Sequence, residues 1–112
     1  MKKVECIIRP EKLEELVVAV EQLGISGLNI TQIAGYGNQK GQTDTYRGVE
    51  YEVKFKEKLK VEIVVDEEKV EDLVDKILSA ARTGEVGDGK IFIYSIEEAV
   101  RIRTKEVGKE AI

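Results

Sequence analysis

The chain contains two strand–helix–strand patterns, one after the other, and this repetition limits the folds that it can adopt. In the first pattern, residues 3–9 are strand-like, and Pro10 stands where its fixed φ suits the start of a helix. Apolar residues then recur every three or four positions up to Gly24, which tolerates the left-handed conformation that ends many helices. A second strand is predicted over residues 28–33.

The second pattern repeats this plan. Residues 53–65 are strand-like, Asp66 is placed to cap the next helix with its side chain, and Gly84 should end that helix. A last strand is predicted over residues 90–96. The order β-α-β-β-α-β predicts an α+β, ferredoxin-like fold, in which one antiparallel sheet carries both helices on one face.

The second face of this sheet should also be covered. Residues 7–8, 63–65 and 91–93 are apolar at consecutive positions, so their side chains point to both faces. Two helices cover only one face, and leaving the other in water costs about 25 cal/mol per Å² of apolar surface. We therefore expect a homo-oligomer, with residues 100–104 as an additional contact element. The pattern does not fix the number of subunits.

Composition excludes several classes of function. The chain has 112 residues, which fits a single domain, and a net charge of -4, which argues against nucleic acid as a partner. It has no histidine, which removes Ser-His-Asp and Cys-His catalysis and the commonest zinc sites. Its single cysteine, Cys6, excludes an internal disulfide, and no apolar run is long enough for a signal peptide or membrane span. We expect a cytoplasmic protein without membrane insertion.

A polar connection joins the two halves. Residues 35–51 contain four glycines and almost no aliphatic residue, so they cannot join a core. A loop of this length inside a compact domain is usually a functional arm or a disordered segment, and a plain flexible loop is the alternative. Tyr46 and Tyr51 are either exposed handles for modification or docking, or rings packed on the domain.

The segment 83–90 is rich in glycine and ends in a lysine. It approaches the Walker A pattern, but Ile91 replaces the Mg²⁺-binding Ser or Thr, and the segment leads from helix to strand instead of strand to helix. The Walker interpretation is therefore rejected. Three glycines in six residues can present consecutive backbone N–H groups to an anion, with Lys90 supplying charge; a simple glycine turn is the alternative.

Two sets of basic residues could meet a phosphate. Arg101 and Arg103 stand two apart on a predicted strand, so both guanidinium groups should leave the same face and converge on a polyphosphate; two solvated arginines are the alternative. Lys56, Lys58 and Lys60 alternate in the same way, and we expect most of this row to form a solvated face.

Three separate motifs resemble those of the nitrogen regulatory PII signal proteins. Residues 37–51, which include the runs Gln39-Lys40-Gly41 and Tyr46-Arg47-Gly48, resemble the T-loop of that family. Residues 83–92 resemble its second motif, and residues 101–104 add a third match in order and spacing. The resemblance covers essentially the whole chain.

This resemblance implies one signalling domain over residues 1–112 and no enzymatic activity. The domain would carry a T-loop at about 37–54, a glycine-rich B-loop at about 82–90 and a C-terminal loop at about 102–109. It would assemble as a homotrimer and bind ATP or ADP in the clefts between subunits. The residues that the resemblance assigns to the nucleotide are Ile7, Asn29, Gly35, Gly37, Asn38, Gln39, Val64, Thr83, Gly87, Asp88, Gly89, Lys90, Arg101 and Arg103.

The resemblance also implies that 2-oxoglutarate is an effector ligand. Its binding residues would be Gln39, Lys40, Gly41 and Lys58, and Gln39 would help to hold Mg²⁺ through the bound ATP. Tyr51 resembles the tyrosine that some relatives uridylylate or adenylylate, which makes a uridylyltransferase a candidate partner.

The T-loop would deliver the output of the sensor. Family partners include ammonium transporters, nitrogen-metabolism enzymes and their regulators, and a transporter could recruit this cytoplasmic protein to the membrane. Two positions depart from the family pattern: Asn38 replaces the usual arginine, and Asn29 replaces a threonine that assists adenine recognition.

Three rival interpretations use related folds. An acylphosphatase-like enzyme would cradle a phosphate with Arg9 and position water with Asn38, but the glycine-rich cradle expected after the first strand is missing. A trimer of the divalent-cation-tolerance type should carry Cys or His metal ligands, which this chain lacks. An RNA-binding module would need exposed sheet aromatics, and only Phe92 and Tyr94 come near.

Overall fold

The computed structural model describes residues 1–36 and 55–112 in full and residues 43–46 and 49–52 by their backbone. The strands are β1 Lys2–Ile8, β2 Asn29–Tyr36, β3 Thr43–Tyr46, β4 Val49–Glu52, β5 Phe55–Val65 and β6 Lys90–Ser95. The helices are α1 Leu13–Gln22 and α2 Val70–Ala81, and short 3-10 turns occupy Pro10–Lys12, Glu67–Lys69 and Gly108–Ala111.

Four of the strands form one antiparallel sheet in the order β2-β5-β1-β6, backed by both helices. The predicted α+β, ferredoxin-like fold is therefore confirmed. The strands β3 and β4 pair separately with each other, Thr43 opposite Glu52, inside the segment predicted as the T-loop. Most predicted strand ends are right to within one residue, but β2 continues three residues beyond the predicted end, to Tyr36. The predicted strand start at residue 53 lies outside the described residues.

The core lies between the sheet and the helices. Alternate residues of β1 and β5 face the helices, because strand side chains point to opposite faces in turn, while the apolar stripes of α1 and α2 face the sheet. Burying each of the larger side chains stabilises the fold by about 1.5–3 kcal/mol. The most deeply buried residues are Val4, Cys6, Ile8, Leu16, Val20, Val61, Ile63, Leu73 and Ile77.

Asp66 stands at the predicted N-cap position but does not cap with its side chain, and the predicted end of α2 is wrong. The carboxylate of Asp66 lies 2.7 Å from Lys109 Nζ, so it pairs with the C-terminal segment and does not cap the first turn of the helix. The helix α2 ends at Ala81 and not at Gly84, because Arg82 already has an extended backbone (ψ 130°). Gly24 does end α1 as predicted, with φ +75° and its N–H donated to Glu21 O.

The predicted C-terminal strand is also wrong. Val100 bridges back to Val107, and Arg101 both donates its N–H to Glu106 O and accepts one from Lys105 N. Residues 102–104 therefore form a turn, and Lys105, which follows it, has φ +62°. Because strand alternation does not apply in a turn, Arg101 and Arg103 do not leave one face of a strand.

The sheet face opposite the helices, here called the open face, carries a mixture of charged and apolar side chains. Lys3 Nζ lies 3.1 Å from a carboxylate oxygen of Glu62 and 4.7 Å from the centroid of the Tyr94 ring. Ile7 and Val64 are half-buried on this face, and Phe92 is 44% exposed. The face is thus less apolar than the sequence pattern alone suggests, and assembly as a homotrimer stays a prediction.

The single cysteine provides a test of the core. Cys6 is fully buried, and burial raises the pKa of its thiol to about 11. Since the thiolate is the reacting species, we expect labelling by DTNB at pH 8 to be roughly a hundredfold slower in the native protein than in guanidinium chloride. Equal rates in the two conditions would contradict the position of Cys6 in the central strand.

Candidate functional site

The loop between α2 and β6, residues 82–89, bends through three glycines with positive φ. Gly84, Gly87 and Gly89 have φ values of +90°, +101° and +99°. Only glycine adopts such angles without steric cost, so the glycines of the sequence motif are explained by the path of the backbone. The loop then enters β6 at Lys90.

The carboxylate of Asp88 holds this loop together. It accepts hydrogen bonds from the backbone N–H groups of Thr83 and Gly84, at 2.9 and 2.8 Å, and from the Thr83 hydroxyl. Arg9 Nε donates to it at 3.2 Å. The Thr83 hydroxyl, together with these other donors, holds the pKa of the Asp88 carboxyl well below its usual range. Asp88 therefore stays ionised and ties the start of the loop to its end.

Two cations bind carbonyl groups of the same loop. Arg9 Nη2 donates to Val86 O at 2.9 Å, and Lys58 Nζ donates to Gly87 O. Lys58 is buried, with only 7% of its surface exposed, so this lysine is not part of the solvated face expected for most of its row. Burial and the neighbouring Arg9 lower the pKa of the Lys58 ammonium. A buried cation at this place would gain from an anionic ligand.

The last glycine of the loop packs directly on β1. A Cβ atom at Gly89 would lie 1.7 Å from Ile7 O, which leaves room for no residue but glycine. A second glycine packs against Lys58: a Cβ at Gly35 would lie 3.2 Å from Lys58 Cγ. A cavity of about 440 Å³ opens between α2 and this loop, lined in part by Ile7, Gly89 and Lys90.

These contacts bring one part of the predicted nucleotide site, together with Lys58 of the predicted 2-oxoglutarate site, to one end of the sheet. Lys58 and Gly35 approach the loop from β5 and β2, and Ile7 lies opposite both Lys60 and Lys90. The residues gathered at this end are Ile7, Gly35, Lys58, Thr83, Gly87, Asp88, Gly89 and Lys90.

Another part lies at the opposite end. Val64 stands six residues after Lys58 on β5, about 20 Å away at the usual rise of a strand, and Asn29 pairs with Glu62 beside it. Asn29 and Val64 line a cavity of about 550 Å³, which also involves Lys109 and Ile112 of the C-terminal segment. One copy of the chain does not bring these residues to the glycine loop.

The remaining predicted residues are placed differently. Arg101 lies 3.4 Å from a carboxylate oxygen of Glu106 within the C-terminal turn, and Arg103 is exposed on that turn. The residues that lie outside the described part of the chain are Gly37, Asn38, Gln39, Lys40 and Gly41, and the side chain of Tyr51 lies outside it as well. Within residues 1–36 and 55–112, no group of three or more acidic, cysteine or histidine side chains could hold a metal ion.

Arg9 is the functional candidate that the sequence did not reveal. The sequence offers Arg9 only as the phosphate cradle of an acylphosphatase-like enzyme, yet its partners Val86 and Asp88 lie 77 and 79 residues away in the sequence. No local pattern signals a contact over such a separation.

In the described part of the chain, no helix combines the length and the apolar character needed to span a membrane.

Comparison with known proteins gives a consistent result. A family model described as "Nitrogen regulatory protein P-II" matches residues 1–106. The chain is 58% identical over 112 residues to the Nitrogen regulatory protein P-II of Nostoc punctiforme and 59% identical to that of Synechocystis sp.. It is 51% identical to the protein of the same name from Rhodospirillum rubrum. In each case the match covers the whole of both chains.

The packing of the loop on β1 can be tested by a glycine substitution. Gly89→Ala should lower the free energy of unfolding by about 3 kcal/mol or more, because the new Cβ would overlap Ile7 O and the positive φ adds strain. Gly84→Ala is the matched control: it has φ +90°, but its Cβ would meet only the flexible Arg82 side chain at 4.0 Å, so it should cost only about 1–2 kcal/mol. Urea unfolding measures both, and equal costs would show that the loop does not press on β1.

The role of Asp88 makes a prediction about pH. Its folded-state pKa lies below the unfolded value of about 3.9, so its contribution to stability is complete above that value and disappears as the pH falls through the folded-state pKa. The melting temperature of the wild type should therefore exceed that of Asp88→Asn at pH 7, and the difference should shrink below about pH 4. Asp75→Asn, an exposed position of α2, is the charge-matched control. A difference that is already absent at pH 7 would contradict the role of Asp88.

Proposed function

The chain belongs to the nitrogen regulatory protein P-II family, and we propose that it senses ATP or ADP together with 2-oxoglutarate and reports their levels to nitrogen-metabolism proteins. The family itself establishes a regulatory, non-enzymatic role in nitrogen signalling. The acylphosphatase-like alternative is therefore wrong, and Arg9 is occupied by the carbonyl of Val86 and the carboxylate of Asp88.

The observation that carries the proposal is the glycine loop with its carbonyl groups turned toward cations. Val86 O and Gly87 O are bound by Arg9 and Lys58. Because C=O and N–H point in opposite directions in a trans peptide, the N–H groups of the same two peptides face away from these cations. Such consecutive N–H groups suit a phosphate oxygen. Lys90 follows at the start of β6 and would add charge.

The proposed nucleotide site is shared between two copies of the chain. One copy would supply Ile7, Gly35 and the loop, and its neighbour would supply Asn29 and Val64, which lie about 20 Å from Lys58 along the same sheet. A closed ring of identical contacts gives each subunit one such site, and the homotrimer is the proposed assembly. Arg101 and Arg103 would approach the phosphates from the neighbouring C-terminal turn, and Gly37, Asn38 and Gln39 would complete the site.

The proposed site for 2-oxoglutarate lies beside Lys58. An ammonium that burial and Arg9 destabilise would be stabilised by a ligand carboxylate. Gln39, Lys40 and Gly41 would supply the remaining contacts, and Gln39 would also hold Mg²⁺ through bound ATP. The carboxylate and ketone oxygens of the ligand are the kind of donors that Mg²⁺ prefers.

The proposed output is the segment 37–54, which joins β2 to β5. ATP with 2-oxoglutarate would favour one arrangement of this T-loop and ADP another, each ligand acting through its different affinity for the two. An ammonium transporter, an enzyme or a regulator of nitrogen metabolism would read it, and a uridylyltransferase could modify Tyr51. The protein would work in the cytoplasm and move to the membrane when it binds a transporter.

Calorimetry tests the proposal directly. 2-Oxoglutarate is titrated into the protein with Mg²⁺ and saturating ATP, and again with saturating ADP, while light scattering reports the mass of the assembly. Binding with ATP alone and a mass of three chains are expected. Absence of binding in both titrations would overturn the 2-oxoglutarate part, and a monomeric mass would overturn the shared site.

Removal of the buried ammonium separates the two ligands. Lys58→Met should abolish 2-oxoglutarate binding in the presence of ATP and Mg²⁺, and it should leave the free energy of unfolding unchanged or higher, because a charge is no longer buried. Lys56→Met removes the same charge two residues earlier on the same face and should bind 2-oxoglutarate as the wild type does. Retained binding in Lys58→Met would exclude Lys58 from the site.

A further inference from the structure

Arg9 contacts the glycine loop at two points, through two different nitrogen atoms. Its Nε lies 3.2 Å from Asp88 Oδ1, and its Nη2 lies 2.9 Å from Val86 O. Arg9 is the first residue after β1, so its backbone is held at the end of an inner strand of the sheet. The planar fork of arginine can bind two acceptors at once in a fixed geometry, whereas a lysine ammonium acts as a single point of charge.

The two contacts act on different parts of the loop. The contact with Val86 O orients the Val86–Gly87 peptide, and because the N–H of a trans peptide points opposite to its C=O, it also directs the Gly87 N–H away from Arg9. The contact with Asp88 holds the carboxylate that receives the N–H groups of Thr83 and Gly84. Through these contacts Arg9 influences both ends of the loop.

Arg9 also stands close to a second cation. It is one of the causes of the lowered pKa of Lys58, whose ammonium donates to the next carbonyl of the loop, Gly87 O. Two positive groups therefore bind two successive carbonyl groups of a backbone that glycine leaves free to turn. Without Arg9 the Val86–Gly87 peptide would lose its partner and could rotate, because Gly87 has no Cβ to restrict it.

We propose that Arg9 is a positioning residue for the nucleotide site: it orients the backbone N–H groups of the glycine loop toward a phosphate through its two-point contact with Val86 O and Asp88, without touching the ligand phosphate itself. This inference rests on the proposed function of the loop. It assigns to the end of β1 a role that requires the shape of arginine as well as its charge.

The test compares Arg9→Lys, which keeps the charge, with Arg9→Met, which removes it. Lys12→Met removes the same charge three residues later, where Lys12 pairs with Glu15 on the surface, and serves as the control. The binding of ADP is measured by calorimetry for each variant and for the wild type. In the ligand-free proteins, the ¹H–¹⁵N shifts of Thr83, Gly84, Gly87 and Gly89 report the loop, and thermal melting reports the fold.

Both Arg9 variants should bind ADP about tenfold or more weakly, the effect expected from losing one charged hydrogen bond, while Lys12→Met stays within about twofold of the wild type. The loop amide shifts should change in Arg9→Lys while the melting temperature stays close to that of the wild type. ADP binding by Arg9→Lys equal to that of the wild type would overturn the proposal, because charge alone would then suffice.

The ligand-free spectra separate this inference from the proposed function. If the wild type bound no ADP, the nucleotide proposal would fail, and with it the role of Arg9 toward a phosphate, whatever the spectra show. If the wild type bound ADP but the loop amide shifts of Arg9→Lys were unchanged, the nucleotide proposal would stand and the positioning role would be overturned.

Discussion

The pairing of β1 on both of its edges is the constraint on which the rest of the structure depends. β1 lies between β5 and β6, so its backbone groups find partners on both sides and its alternate side chains form the centre of the core. The same register places Ile7 opposite Lys60 and Lys90, which brings the entry of β6 and the glycine loop to the end of β1. The position of the candidate site thus follows from the pairing of β1 with β5 and β6.

Charge is distributed unevenly at that end of the sheet. Arg9 and Lys58 both face the loop, and Asp88 is the carboxylate that Arg9 contacts there. Lys58 is buried and its pKa is lowered by that burial, so its charged form is less stable than in water. An anion placed beside the Lys58 ammonium would offset this cost by stabilising the charged form.

Much of the fold was predictable because its signals are local. Alternation in residues 59–65 and the helical spacing in α1 and α2 depend on near neighbours, and both predictions hold. The predictions that failed depend on partners that the local pattern does not identify. Asp66 pairs with Lys109 and does not cap the helix with its side chain. Val100 pairs with Val107, so Arg101 and Arg103 lie in a loop and not on a strand. Which of two potential partners a side chain binds depends on their positions in the folded chain, and a local sequence pattern does not contain those positions.

The sequence by itself determined the two repeats, the core and the positions of glycine in the loop, because periodicity and positive-φ requirements are properties of a few neighbouring residues. Only the tertiary structure decided that Lys58 is buried, that Arg9 holds Val86 and Asp88, and that Asn29 and Val64 lie far from the glycine loop. These arrangements involve residues that are tens of positions apart in the sequence. Their partners are chosen when the strands pair, and the register of that pairing is a property of the whole sheet.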